Sequence, residues 1–345
     1  MPHPKPSLKE WKALYQAATD FMKIKPWTWL SDSDLFGVLN PHNKEIGYCC
    51  VMGALGEVYA LAVYAGSEGL DSYLKMQSGE IDVDDPDVLH TQKCLMASFE
   101  DRERLEREDL QVIKKLGLKF RGRSAWPQFR SYLPGYVPWF LTKDEARFLA
   151  IALQQATDVA LCYKGDRSIL NAPKRGLVLV RVPGQADQKG RWKDVWVAPI
   201  LAEKKDLPVP PIDELRLQRI KRHIGKRTGT WEIDFFYFPA PVQEGERPYY
   251  PLTGIILDHS KGLALHNCLA PQWSFFEEFP ESVLRFVEEN EMLPKRILVD
   301  KPESLKMLNS IAAALSIELK MVDMLEWVRK FRTQMDADLF HIPYG

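Results

Sequence analysis

The sequence lacks net charge: 46 Lys and Arg stand against 47 Asp and Glu, for a formal charge of -1. No field of the whole chain draws nucleic acid or an anionic membrane, so any such attraction is local. Cysteine is scarce. Cys49, Cys50, Cys94, Cys162 and Cys268 are too few and too scattered for a disulfide framework, and none forms a C-x-x-C pair; this predicts reduced thiols in a cytoplasmic setting. No apolar run is long enough to span a membrane. The first residues lead into an amphipathic stretch and not into the apolar core of a secretory signal. Gly53-Ala-Leu-Gly56 lacks the Lys-Ser/Thr of a phosphate loop, and there is no G-x-S-x-G elbow, which removes two common sources of chemistry.

What is present is apolar material for a large interior. A chain of 345 residues at 46% hydrophobic content is expected to form two domains. Ser7-x-x-Glu10 and Thr142-x-x-Glu145 are capping boxes, and each opens a helix with apolar residues at helical spacing. Between them lie strand-like runs at 35–39, 48–52, 58–64 and 94–99, a short helix over 67–76, and a charged helix from about Arg102 that stops at Gly117. Residues 118–139 read as irregular, and the acidic stretch Glu80 to Asp87 as solvated. After strands at 176–182 and 195–200 comes Leu207-Pro-Val-Pro-Pro211, a linker. Helix, three strands, helix, strand, helix, strand and helix then follow.

The predicted layout is an N-terminal α/β module over 1–165, a strand pair with Pro-rich linker over 166–211, and a C-terminal α/β module over 212–345. Each module is a small mixed sheet flanked by helices, of mixed α+β content. The similar order of elements in the two halves suggests an internal duplication.

Three apolar runs end on acids: Ile255-Ile-Leu-Asp258, Ile297-Leu-Val-Asp300 and Met321-Val-Asp323. Carboxylates at strand ends are where open α/β sheets place chemistry. The local reading is structural. Asp300-Lys-Pro-Glu303 and Asp323-Met-Leu-Glu326 have the spacing of helix N-caps, while Asp258-His-Ser-Lys-Gly262 has the residues of a hairpin turn. His259 and His266 flank that hairpin, but two ligands do not define a zinc site. On this reading the chain has no catalytic residue and no metal.

Basic residues form two groups. From Leu110 to Lys143 there is no acid, and Lys119, Arg121, Arg123 and Arg130 alternate with Phe120, Trp126, Phe129 and Tyr132. Cations beside rings suit single-stranded nucleic acid, so Lys119, Arg121, Arg123, Trp126 and Arg130 are the candidate contacts. The group Arg216, Arg219, Lys221, Arg222, Lys226 and Arg227 reads as the solvated face of a helix that buries Leu217, Ile220 and Ile224.

Two resemblances add to this. Trp11 to Pro26-Trp27, Gly47-Tyr-Cys-Cys-Val-Met-Gly53 and Tyr64-Ala-Gly-Ser-Glu-Gly69-Leu70 resemble uncharacterised bacterial proteins, in which one domain of unknown function precedes a second that resembles 251–332. The order three strands, helix, strand, helix, strand, helix in the C-terminal module resembles ribonuclease H-like domains. That resemblance implies Asp258 on the central strand, or Asp234 in its place, Asp300 on the neighbouring parallel strand and Asp323 at the last helix, together holding Mg²⁺. The functional expectation is a non-catalytic cytoplasmic protein that binds another protein or single-stranded nucleic acid, without cofactor or membrane; the alternative is a divergent metal-dependent nuclease using Mg²⁺.

Overall fold

The computed structural model describes residues 4–79, 87, 90–184, 192–202, 213–225 and 227–340, with side chains to residue 335. The acids of 80–86, the linker at 207–211 and Lys226 lie outside the described residues. The chain divides into two compact units, Met1–Glu203 and Lys204–Gly345.

In the first unit, α1 (Leu8–Ile24) starts at the Ser7/Glu10 capping box and turns Leu14, Ala18 and Phe21 inward. A second box, Thr142 with Glu145, starts α4 (Lys143–Gly165), as the sequence predicts. These two long helices pack together on one face of a seven-stranded sheet, around Phe21, Phe36, Leu61, Leu149 and Leu153. The strands are β1 (Phe36–Leu39), β2 (Ile46–Met52), β3 (Ala60–Ala65), β4 (Cys94–Glu100), β5 (Trp126–Tyr132), β6 (Val178–Pro183) and β7 (Trp192–Val197). Their order is β5-β4-β3-β2-β1-β6-β7, antiparallel except where β6 runs parallel to β1. The strand pair expected between the modules is therefore part of this sheet. On the other face, α2 (Gly66–Ser78) packs Leu70 and Tyr73 against Tyr48, Cys50 and Tyr64.

The charged helix is shorter than its sequence suggests. A 3₁₀ turn occupies Arg102–Arg104, and α3 (Arg107–Lys115) begins at Glu106, whose N–H reaches Asp109 Oδ2 at 3.0 Å. It ends at Gly117 as expected: with φ at +66°, the Gly117 N–H reaches the Lys114 carbonyl and the Leu118 N–H the Ile113 carbonyl, a Schellman closure that glycine makes without strain. The region read as irregular contains β5, the edge of the sheet.

The second unit contains α5 (Glu214–His223), β8 (Arg227–Tyr237), β9 (Leu252–Asp258), β10 (Ala264–Ala270), α6 (Phe275–Asn290), β11 (Leu293–Val299), α7 (Pro302–Ala314), β12 (Glu318–Met321) and α8 (Glu326–Phe340). Strand order is β10-β9-β8-β11-β12. The first three strands are antiparallel, and β11 and β12 run parallel to β8. Alternate residues of β8 face opposite sides. Trp231 and Ile233 join the core under α5, α6 and α7 with Ile256, Phe279 and Val299, while Phe236 joins Ile255, Leu257, Leu325 and Val328 under α8.

The ribonuclease H-like element order holds, with β8 as the central strand. The duplication does not. After its meander the first unit adds β4 beside β3 in antiparallel sense, whereas the second adds β11 beside β8 in parallel. Similar runs of helix and strand along the chain thus close into differently ordered sheets.

Candidate functional site

The face of β8 that puts Phe236 under α8 also turns two carboxylates into the interior, Glu232 and Asp234, 1% and 2% exposed. The parallel register pairs Leu298 of β11 with Glu232; carried two residues on, it brings Asp300 beside Asp234. Three acids therefore lie together on the α8 side of the sheet, at the C-terminal ends of parallel strands, where such sheets bind ligands.

Glu232 is fully engaged. Its Oε2 accepts the backbone N–H groups of Trp327 and Val328 at 3.0 and 3.2 Å, and its Oε1 meets Nδ1 of His259 at 2.7 Å. A residue from the sheet thus caps α8, satisfying two of the N–H groups that every helix start leaves unpaired. The hairpin joins in, since the Trp327 indole N–H donates to the His259 carbonyl at 2.9 Å.

Asp234 and Asp300 are not fully engaged. The Lys301 ammonium donates to Asp234 Oδ2 at 3.0 Å and to the Phe235 carbonyl at 2.5 Å, and lies over the Phe235 ring. Yet Oδ1 of Asp234 and Oδ1 of Asp300 are both buried without a hydrogen-bond partner. Burial pushes the Asp234 carboxyl up to about 6; Lys301 works against this, and the charge of Asp300 adds to it. Burial also raises Asp300, opposed by Lys301, the Leu325 N–H and Arg332 of α8. Buried oxygens without partners are rare, and each asks for a proton, a water or an ion.

The acids expected to act together do not meet. Asp258 stays in its hairpin, where its Oδ1 accepts from the Ser260 N–H at 2.8 Å, the Ser260 hydroxyl at 2.5 Å and the Lys261 N–H at 3.1 Å. The Ser260 hydroxyl foremost, with these N–H groups, holds that carboxyl below the usual range. It pairs across the sheet with Trp231, three residues or about 10 Å down β8 from Asp234. Asp323 is exposed, three residues ahead of α8. Among the described residues no group of three or more His, Cys, Asp or Glu is arranged to hold a metal.

The capping expectation needs correction too. Because Pro302 is the first residue of α7, Lys301 takes the N-cap position without a side-chain cap, and Asp300 points toward the sheet end. The cap of α8 comes from Glu232, not from Asp323. Sequence reasoning offered Asp234 as the central-strand acid but missed Glu232 and Lys301. The signal was there in Trp231-Glu-Ile-Asp-Phe-Phe236, two acids at period two inside a strand.

In the first unit, Arg130 is a second correction: it is 5% exposed and cannot reach a ligand. Its guanidinium holds Asp109 with two bonds of 3.0 and 2.8 Å and Glu106 with one of 2.8 Å, over the Phe140 ring. Trp126 is half-buried, with Phe120 and Arg102 on its ring. Lys119, Arg121 and Arg123 are exposed. In the second unit the basic group is not all solvated helix face: Arg216 is largely covered, held by Glu281 and Glu288 of α6, and Arg227 lies on β8 and donates to the Leu315 carbonyl at 2.7 Å. His266 bonds the Ser282 hydroxyl and shares nothing with His259.

Comparison with known proteins places one family model in each unit of the chain. Residues 11–181 match a family model described as a domain of unknown function, DUF7309, and residues 216–336 match a second such domain, DUF6930. The chain is thus a two-domain protein carrying DUF7309 followed by DUF6930. No curated protein matches it. Similar solved structures include a pre-cleavage Mos1 transpososome, at 11% identity and a TM-score of 0.19 over 77% of this chain and 72% of that one. Another is a Mos1 transposase paired-end complex with left transposon end, at 12% identity and 0.19 over 77% and 78%. At that TM-score the likeness carries nothing about fold or function. Among the described residues no helix is long and apolar enough to cross a membrane.

Proposed function

We propose that this chain is a non-catalytic binding protein of the cytoplasm. The observation behind this reading is Lys301: its ammonium bonds Asp234 at 3.0 Å, so the protein supplies its own cation to the carboxylate pair at the strand ends. Mg²⁺ is held by one or two carboxylates with waters completing its octahedron, and an ammonium already bonded to one of the pair competes with the ion for that carboxylate by both charge and space. The five free cysteines, three of them buried, suit a reducing compartment.

The second reading is a divergent metal-dependent nuclease. The two buried Oδ1 atoms without partners favour it, and its acids would be Asp234 and Asp300 in place of the trio Asp258, Asp300 and Asp323. Incubating the purified chain with labelled DNA and RNA strands in Mg²⁺ or Mn²⁺ separates the two. Intact strands after hours are expected; cleavage that disappears in Asp234→Asn would establish the nuclease.

A further inference from the structure

Resting on the reading as a binding protein, we infer that the first unit carries a nucleic-acid surface made of Lys114, Lys115, Lys119, Arg121 and Arg123, which takes the phosphate backbone without reading sequence. All five side chains are exposed. Lys114, Lys115, Lys119 and Arg121 have no ion pair among the described residues, and Arg123 stands 3.8 Å from Asp101 with 94% of its side chain exposed. Lys114 and Lys115 also offset the negative end of the α3 dipole. The other three lie beyond the helix, where no such need exists.

The chain between them is shaped for close approach. Gly117 and Gly122, at φ of +66° and +99°, each have open space where a Cβ would stand, so a phosphate can come near the backbone there. Phe120, flanked by Lys119 and Arg121, is turned inward and packs on Tyr15 and Trp126. It anchors the loop from inside while the cations project outward. Because the rings of Phe120 and Trp126 are occupied by protein, base stacking is not available and the contact is with phosphates.

An acidic peptide fits less well. Peptide sites rely on buried apolar anchors, and between Lys114 and Arg123 the apolar side chains Leu116, Leu118 and Phe120 are all partly buried against the core. Charge alone remains, and a dense line of phosphates matches it best.

The test is fluorescence anisotropy of a labelled single-stranded 20-mer with the full chain in EDTA. Five phosphate contacts predict a log-log salt slope of about -3.5. Lys119→Glu, Arg121→Glu and Arg123→Glu together should weaken binding at least tenfold and reduce the slope to about -1.4, with the melting temperature unchanged. The control pair Arg219→Glu and Arg222→Glu on α5 removes the same kind of charge from residues outside the proposed surface and should leave affinity within about twofold. Three results would overturn the surface: no binding at 50 mM salt, a triple variant as tight as wild type, or polyglutamate competing as well as the oligonucleotide. Each leaves the binding-protein reading standing, whereas cleavage in Mn²⁺ would remove that reading and leave the surface.

Discussion

Each unit sets a cation against a buried carboxylate, and the two solutions differ. In the first, the flat guanidinium of Arg130 meets both oxygens of Asp109 and reaches Glu106, a fork matched to a carboxylate. In the second, the ammonium of Lys301 is a point charge that serves one oxygen of Asp234 and leaves Oδ1 of Asp234 and of Asp300 bare. The first site is a completed clamp between β5 and α3. The second retains unmet polar demand at two buried oxygens, which costs stability.

Breaking the completed clamp should have the largest effect. Arg130→Ala leaves Asp109 buried without its partner and should cost about 3 to 5 kcal/mol in denaturant unfolding. Arg130→Lys should recover only part of it, since an ammonium cannot hold both oxygens and Glu106. Next is Glu232→Ala, which uncaps α8 and should cost about 1 to 2 kcal/mol. Hydrogen exchange would show faster loss at the Trp327 and Val328 amides.

The incomplete site should respond in the opposite sense. Asp300→Asn removes a charge beside Asp234 and keeps an acceptor for the Leu325 N–H, so it should raise the melting temperature at neutral pH, by less than the loss that Glu232→Ala causes. The pH dependence sharpens the contrast. Asp234 binds its proton at about 6, against an ordinary 3.8. Its favourable contribution is therefore complete below about 4 and lost as the pH rises through 6. Stability should increase from pH 7 to pH 5 in the wild type, and Asp234→Asn should flatten that slope. The smallest effect is reserved for Asp323→Asn, within about 0.5 kcal/mol, as an exposed side chain outside any cap warrants.

Much of the architecture was legible because it rests on local signals. Ser7 with Glu10, Thr142 with Glu145 and the glycine after α3 act within a few residues, and each did what its spacing implies. The edge strand β5 was not legible, since Pro127 and the polar Gln128 and Arg130 mask its alternation; Arg130 faces inward only because α3 brings Asp109 to meet it. The same holds for the site. Asp258 was correctly read as a turn residue, from its neighbours alone. Whether Asp300 caps a helix or joins Asp234, and whether α8 is capped by Asp323 or by Glu232, depends on which strands pair, and β8, which ends at Tyr237, and β11, which begins at Leu293, are separated by two strands and a helix, a distance that no local motif reports.

The central claim is that Lys301 serves the carboxylate pair as its cation. Thermal unfolding of the wild-type chain across a titration of Mg²⁺ and of Mn²⁺ to about 10 mM tests it most directly, because an ion bound to the native state alone raises the transition. A melting temperature unchanged by either ion is the predicted result. A saturable rise that disappears in Asp234→Asn would show that a metal, and not the lysine, completes the site.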